Sequence, residues 1–517
     1  GFWLPIDVSY AFKSYLLENS ANVFMRGFLL KMEDDDGDIT FSSSEYSWVG
    51  DRPYLTVDYA FTKFGADGGN GDYPDDNPSP IDQHQLAMQQ DNLKIIRFFD
   101  YGPSGGDQNG HKLETFVNKA YDKGMKVILV FMAKVYTNNN DFATRVVNML
   151  DLVDTKWGNT VIAVELSNEE ESAYDAQQTW WAGSYAGGTE FADFYLAAYD
   201  KIKQDLPSFH QEIICGGSVR WHAGLVWDYT TSFGCTKSFL EGYIDRVISM
   251  GGNTLDKLPD TFALHSYNDD NPGYFSPEFW IRDENDNWPR TEWFQRLKEL
   301  FTICNNKGFI PNFANTEYGF SPTTGEFYAP GNSSEKAQAV YYLRRVLMDS
   351  TMRINIDDDF KPGIGWKYSL YFHHPDSDVD VGFLSLVNGT LYSRAIRDVA
   401  SKIMDVDAGN TNPHLGDENS KIWIPLINVH ETLDNYAHCG WIDSSGQKWG
   451  AIWRYKNDTN YYTPTSGEDR EFIIKDGDFR NWSLNLYRFT ITAGSASFDL
   501  QTSSVTSSYS PRSEERR

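Results

Sequence analysis

The chain has 517 residues, of which 40% are hydrophobic and 15% aromatic, and its formal net charge is −28 at pH 7. This length predicts one large domain and a smaller one. Because phosphate backbones and anionic lipids attract cationic surfaces, the negative charge argues against nucleic acid and against a membrane as partners. No apolar run reaches the roughly 18 residues that a membrane-spanning helix needs.

The aromatic residues are numerous enough that many should lie outside the core, with 16 Trp, 30 Tyr and 33 Phe. Exposed rings stack on nucleic-acid bases or on the C–H faces of sugars. Since the charge argues against nucleic acid, a neutral polysaccharide or oligosaccharide is the partner that fits best. The chain begins GFWLPIDVSY, without Met or a basic-then-apolar leader, so this sequence does not include a signal peptide. A secreted, periplasmic or cell-surface location is the expectation.

Short apolar runs alternate with longer helical patterns from about residue 20 onward. Continuous apolar runs are typical of parallel strands covered on both faces. The predicted strands are 23–30, 94–99, 126–132, 161–166, 212–216, 261–265, 312–316 and 363–370. The predicted helices are one that Ser79-Pro80 begins before IDQHQLAMQQDN, and then 113–123, 141–153, 190–206, 239–250, 292–306, 334–348 and 394–404.

Eight strands, each followed by a helix, predict an α/β fold of the (β/α)8 TIM-barrel type over residues 21–405, after an N-terminal segment, 1–20, of uncertain role. A doubly wound sheet is the alternative, but it would normally have a glycine-rich phosphate loop after its first strand, and MRGFLLKMEDDDGD is not one. A loop as long as 31–79 is usually functional and is expected to form a cleft wall.

The pattern changes beyond about residue 405. Short strand patterns there predict a C-terminal antiparallel β-sandwich over 406–500, packed on the barrel as a structural partner. The last residues, 501–517, are Ser-rich and then charged, which predicts a disordered tail. The four cysteines lack the CxxC spacing of a zinc site.

Two glutamates follow strands that should meet at the barrel mouth, where catalytic residues of such barrels lie. The fourth strand leads into VIAVELSNEEES, with Asn168 and Glu169, and the seventh into FANTEYGF, with Glu317. Two carboxylates about 5–5.5 Å apart are what a retaining glycosidase uses as acid/base and nucleophile. Like charges that close also drive the two pKa values apart. Because two carboxylates suffice, no catalytic metal and no cofactor are expected.

The order of these motifs resembles the clan A glycoside hydrolases, with family 5 as the nearest type. Asn168-Glu169 after strand four, Glu317 after strand seven, the HSY motif beginning at His265 after strand six and Trp366 on strand eight carry the resemblance. It covers roughly residues 20–405. The clan's usual Asn-Glu-Pro is Asn-Glu-Glu here, so a different shape is expected for the sugar subsites beyond the acid/base.

The resemblance implies a role for each of these residues. Glu169 is the acid/base, Glu317 the nucleophile, and Asn168 binds the sugar 2-hydroxyl. Arg97, near the end of strand two, orients the nucleophile and keeps it ionised. The remaining implied substrate-binding residues are His265 and Tyr267, which line the sugar subsite, and Trp366, the platform beneath the sugar.

The other glutamates of VIAVELSNEEES have different predicted roles. Glu165 shares side-chain parity with Glu169 along a regular strand, and we expect it to form a buried ion pair in the barrel interior. Glu170 and Glu171 begin a loop and are expected to be solvated or to cap a helix.

These observations together predict a monomeric retaining glycoside hydrolase that cuts β-glycosidic bonds within a polysaccharide, with endo action. Within the enzyme class, the alternatives are an exo-β-glycosidase and a hydrolase of algal galactans such as agarose or porphyran. A non-catalytic carbohydrate-binding protein on a barrel scaffold is the alternative from another class.

Overall fold

The computed structural model describes residues 64–67, parts of 81–92, 93–170 apart from 103–106 and 108, 184–218, 236–266, 300–319, parts of 342–349, and 366–371. Two short strands at 280–281 and 290–291 and six C-terminal strands are described by their backbone. None of the helices in these parts of the chain has the length and apolar character that crossing a bilayer requires.

Ten strands precede residue 372 in the described part of the chain. They are β1 Phe64–Asp67, β2 Ile95–Asp100, β3 Lys126–Phe131, β4 Val161–Asn168, β5 Glu212–Ser218, β6 Thr261–His265, β7 Trp280–Ile281, β8 Arg290–Thr291, β9 Asn312–Tyr318 and β10 Trp366–Tyr371. The α-helices with full bounds are α1 His111–Asp122, α2 Asn139–Leu152, α3 Tyr185–Asp205 and α4 Thr236–Met250. Further helical residues lie at 300–306 and within 81–88 and 342–349, and short 3-10 helices at Ala133–Val135 and Asp154–Lys156.

Eight of these strands close into a parallel barrel in the order β1-β10-β9-β6-β5-β4-β3-β2. This is the (β/α)8 arrangement predicted from the sequence. One or two residues from each of β2–β6, β9 and β10 form a single buried cluster, which is possible only in the barrel interior. Its members are Ile95, Ile128, Ala163, Ile214, Ala263, Ala314, Tyr368 and Leu370.

A second, larger apolar cluster lies outside the barrel, between the strands and the helices. Side chains of β2 alternate between the two clusters, with Ile95 inside and Ile96 and Phe98 outside. This alternation places Arg97, two residues after Ile95, in the interior just above the apolar layer. The interior of the barrel is therefore apolar near the N-terminal ends of the strands, and it contains ionisable side chains nearer their C-terminal ends.

The prediction for the first strand is wrong. β1 is Phe64–Asp67, within the region predicted as the long loop 31–79, and it pairs with both β2 and β10. Residues 23–30 and the rest of that loop lie outside the described residues. The sequence pattern does not indicate this strand, because FGAD has only four residues, one of them Gly65, and no continuous apolar run.

The remaining barrel strands agree with the prediction within a few residues, but β4, β5 and β9 extend further into polar sequence than the apolar runs do. β4 continues to Asn168, and β9 continues to Tyr318. The predicted helix 394–404 lies outside the described residues.

The C-terminal region contains six strands, which pair antiparallel as β11 with β14, β12 with β13 and β15 with β16. Their bounds are β11 Leu426–Val429, β12 Tyr436–Ile442, β13 Lys448–Arg454, β14 Phe472–Lys475, β15 Ser483–Thr492 and β16 Ser495–Thr506. A sandwich of these pairs stays a prediction. The predicted disordered tail begins too early, because residues 501–506 belong to β16, where Ser and Thr pair with β15.

Gly65 offers a test of the revised first strand. A Cβ at this position would lie 2.1 Å from the backbone oxygen of Ile95, which cannot move without breaking the β1–β2 pairing. We expect Gly65→Ala to lower the free energy of unfolding by about 2–4 kcal/mol, measured by denaturant titration. The control is Gly124→Ala, where no atom lies within 4 Å of the added carbon, so the expected loss is only the strain of an alanine at φ +66°, about 1–2 kcal/mol. Equal losses in the two variants would contradict the placement of β1.

Candidate active site

Arg97 on β2 lies at the centre of the polar layer and is fully buried. Its Nε and Nη2 donate to the two carboxylate oxygens of Glu165 at 2.7 and 2.8 Å. Nη2 also donates to Oδ1 of Asn168 at 2.6 Å, and Nη1 donates to Oε1 of Glu317 at 2.5 Å. A further contact joins Nη1 to Oδ1 of Asp67 at 3.3 Å. One guanidinium thus connects β1, β4 and β9.

Glu165 is the partner that balances most of the arginine's charge. In addition to the bidentate pair with Arg97, it accepts hydrogen bonds from the backbone N–H of Gly217 at 3.0 Å and from the Thr316 hydroxyl at 3.3 Å. The expectation of a buried ion pair in the barrel interior is confirmed. Such a pair is stable in a buried site only when additional hydrogen bonds satisfy the charges, as these do.

Glu317 faces the barrel interior because β9 contains a β-bulge. Leu264 on β6 pairs with Asn315, but the next residue, His265, pairs with Glu317, which leaves Thr316 as an extra residue. In a regular strand Glu317 would point away from the side on which Ala314 lies. The bulge reverses this, and the Ser266 amide donates to the carbonyl of Glu317 at 3.0 Å to fix the backbone.

Glu169 follows β4 in a strained backbone conformation. Ser167 has φ of 80° and Glu169 has φ of 53°. These angles lie in the left-handed region of the backbone, which residues other than glycine rarely adopt. Two hydrogen bonds stabilise this turn. The Glu169 amide donates to the Gly217 carbonyl at 2.8 Å, and the Ala133 amide donates to the Ser167 hydroxyl at 2.9 Å. Strain of this kind is concentrated at functional sites, where the surrounding structure maintains it.

His265 lies between the two glutamates. Its Nδ1 is 2.7 Å from Oε1 of Glu169 and 3.3 Å from Oε2 of Glu317. Burial lowers the pKa of His265 to about 4, so the ring is neutral at pH 7. Gly217 makes room for the ring, since a Cβ there would lie 2.0 Å from Nε2.

Burial and charge act in opposite directions on the ionisable groups. Burial would lower the pKa of Arg97, but the carboxylates of Glu165, Asp67 and Glu317 raise it well above its ordinary value. Burial raises the pKa of Glu317, against the effects of His265 and Arg97, and the nearby Glu169 adds to the rise. Arg97 therefore supplies the positive charge that favours the ionised form of Glu317.

The structure brings together five of the seven residues predicted for the site, which are Arg97, Asn168, Glu169, His265 and Glu317. Their catalytic and substrate-binding roles stay predictions. Tyr267 lies outside the described residues.

The prediction for Trp366 is wrong in its position. Trp366 begins β10 and pairs with Phe313, four residues before Glu317, so it lies well below the barrel mouth. It belongs to the apolar cluster outside the barrel, and its indole N–H donates to Asp349 at 3.0 Å. The described strand has Trp366 as its first residue, so the ring lies at the start of β10, far from the end of the strand at the mouth.

Glu170 also differs from its prediction. It is buried rather than solvated, and its Oε1 accepts a hydrogen bond from the Asn168 amide at 2.9 Å. This contact closes the turn that carries Glu169. Glu171 lies outside the described residues.

The sequence did not single out two residues of the site. Asp67 was missed because the first strand was assigned elsewhere. Gly217 was missed because a glycine carries no chemistry of its own, although the pair Gly216-Gly217 within a strand is a signal of close backbone approach.

The same groups could also hold a metal ion by geometry. One ligand atom each from Glu169, His265 and Glu317 lies within 4.8 Å of the others. The absence of a catalytic metal stays a prediction.

The fold and this cluster define a (β/α)8 barrel with two carboxylates at the C-terminal ends of its strands. No protein-family model matches the chain, and no curated protein matches its sequence. Among solved structures, the chain is similar to a family 39 glycoside hydrolase from Bacteroides cellulosilyticus WH2, at 16% identity and a TM-score of 0.42, over 66% of this chain and 64% of that one.

Two further solved structures have comparable similarity. One is the endo-1,4-β-mannanase from Rhizomucor miehei, at 14% identity and a TM-score of 0.41, over 68% of this chain and 97% of that one. The other is a hyperthermophilic β-glucosidase from Pyrococcus furiosus, at 12% identity and a TM-score of 0.38, over 68% and 98%. At these identities and TM-scores the likenesses carry no argument about function, and the barrel rests on the strand pairing described above.

Replacement of Arg97 tests whether its fork of hydrogen bonds holds the polar layer together. Lysine keeps the charge but cannot reach three carboxyl groups at once, so we expect Arg97→Lys to cost about 2–5 kcal/mol of unfolding free energy. The matched control is Arg246→Lys on the surface, where Arg246 pairs with Asp193 at 2.9 Å and the expected loss is below about 1 kcal/mol. Similar small losses in both variants would show that the cluster is not central to stability.

Proposed function

We propose that the protein is a retaining glycoside hydrolase that cleaves β-glycosidic bonds by double displacement. The observation that carries the proposal is the pair Glu169 and Glu317, whose closest carboxylate oxygens lie within 4.8 Å of each other with His265 between them. Retaining enzymes have carboxyl groups about 5–5.5 Å apart, whereas inverting enzymes need about 6.5–9.5 Å to admit a water molecule. The geometry favours retention.

The surroundings of the two carboxyl groups support different roles for them. Glu317 is buried and accepts from Arg97, so its anion has a cation beside it, as a nucleophile requires. The Glu169 side chain is 27% exposed, so it can exchange protons with solvent. The neutral ring of His265 contacts both carboxyl groups through Nδ1 and adds no charge to the site.

The reaction then follows in two balanced steps. In the first, a carboxylate oxygen of Glu317 attacks the anomeric carbon, the bond to the leaving oxygen breaks, and Glu169 donates its proton to that oxygen. In the second, Glu169 takes a proton from a water molecule, the water oxygen attacks the anomeric carbon, and the bond to Glu317 breaks. The enzyme returns to its starting protonation state.

The substrate class is proposed from composition rather than from the site. The net charge of −28 and the aromatic content favour a neutral polysaccharide or oligosaccharide. Endo action on a polysaccharide is our proposal, and its alternatives are exo action and an algal galactan as substrate. The strained turn at Glu169 argues against a non-catalytic sugar-binding protein, because a site without catalytic activity would not need to maintain this strain.

The proposal predicts that each glutamate is required for cleavage. On a panel of β-linked polysaccharides with products sized by chromatography, we expect Glu317→Ala to reduce kcat on the order of 10⁴-fold or more. Glu169→Ala should reduce kcat by about 10²–10⁴-fold, the contribution of general acid catalysis. Glu190→Gln, on the exposed face of α3, is the control. Cleavage that survives in Glu317→Ala would refute the assignment, and binding without cleavage by the wild type would favour the non-catalytic alternative.

The stereochemistry of the first-formed product is a separate prediction. Double displacement retains the anomeric configuration, so NMR of the earliest hydrolysis product should show the β-anomer before mutarotation. Appearance of the α-anomer first would mean that water attacks directly, and that Glu317 is a base rather than a nucleophile.

A further inference from the structure

Asp67 at the end of β1 is a buried carboxyl group that the proposed mechanism does not use. It is 1% exposed, and its Oδ1 accepts from Nη1 of Arg97 at 3.3 Å. The same Nη1 donates to Glu317 at 2.5 Å. The other oxygen, Oδ2, has no hydrogen-bond partner among the residues that the structure describes.

The charge of the cluster cannot balance if every carboxyl group is ionised. Asp67, Glu165 and Glu317 all contact one guanidinium, and all three are buried. Three anions and one cation would leave two net negative charges on buried groups, which is strongly unfavourable. His265 adds no cation, because its ring is neutral at pH 7. At least one carboxyl group is therefore expected to hold a proton.

The hydrogen bonds indicate which group holds it. Glu165 accepts from Arg97 twice, from Gly217 and from Thr316, so each of its oxygens has at least one donor. Glu317 has the shortest contact with Arg97 in the cluster, at 2.5 Å. Asp67 has one long contact, and its Oδ2 has no partner within the described part of the chain. A buried hydroxyl without a partner costs less than a buried carboxylate oxygen without one.

We propose that Asp67 is a neutral carboxylic acid and a positioning residue, which fixes Nη1 of Arg97 against Glu317. Because Asp67 has no charge, the positive charge of Arg97 then balances Glu165 and Glu317 only. The proposal rests on the proposed function for its consequence in catalysis, but not for the protonation itself. The groups that face Asp67 support it, since burial, Glu317 and Glu165 raise the pKa of Asp67 well above its ordinary value and only Arg97 opposes them.

The protonation has a signature in stability that does not depend on activity. A carboxyl group with a raised folded-state pKa contributes stability that is complete below the unfolded value of 3.8 and is lost as the pH rises towards the folded value. The amide introduced by Asp67→Asn would mimic the neutral acid at every pH. The difference in melting temperature, Asp67→Asn minus wild type, should therefore become more positive as the pH rises from about 4 to about 8.

This difference is measured by thermal melts at several pH values, with Asp193→Asn on the surface as the control. A difference that stays constant, or that becomes more negative with pH, would overturn the proposal, because Asp67 would then be ionised in the fold. If Asp67→Asn does not fold, infrared spectra of wild type labelled with ¹³C-aspartate decide instead. A protonated aspartic carbonyl band at pH 7 supports the proposal, and its absence refutes it.

The positioning role has a kinetic readout. Asp67→Ala removes the acceptor for Nη1, so kcat should fall at least about tenfold further than in Asp67→Asn, with little change in KM. Equal kcat values in the two variants would refute the positioning role. The outcomes stay separable, because continued cleavage by Glu317→Ala would refute the proposed function alone, whereas pH-independent melting differences would refute only the neutral Asp67.

Discussion

The ion cluster around Arg97 is the interaction on which both the barrel and its site depend. A guanidinium buried in the barrel interior is unfavourable alone, and so would be the carboxylates of Glu165 and Glu317 without it. They are stable together because β1, β4 and β9 each bring an acidic residue to the one cation on β2. The site is therefore complete only in the closed barrel, because the cluster joins strands that are distant in sequence.

Two local irregularities convert this cluster into an asymmetric site. The bulge at Thr316 turns Glu317 inward, and the positive φ angles of Ser167 and Glu169 turn the end of β4 across the mouth. Each costs free energy in isolation. The rigid apolar layer beneath, from Ile95 round to Leu370, fixes the strands so firmly that these irregularities persist. The regular part of the barrel thus maintains the irregular part that carries the chemistry.

The sequence predicted those features that depend on continuous apolar runs. The parallel barrel and seven of its strands follow from such runs, and so do the positions of Glu169 and Glu317 at strand ends. Features set by tertiary contact could not be predicted. β1 is too short to show a pattern, Glu170 is buried by a turn with no sequence signature, and the depth of Trp366 depends on a strand boundary that propensity leaves uncertain by several residues.

Identical side chains acquire different chemistry here through their neighbours alone. Glu165, Glu169 and Glu317 are the same residue type, yet one is saturated with donors, one reaches solvent and one shares a single guanidinium nitrogen. A cation can stabilise only a limited number of anions before further carboxyl groups must keep their protons. The division of roles among the acidic residues is consequently a property of the whole cluster, and removal of any one member changes the proton affinity of the others.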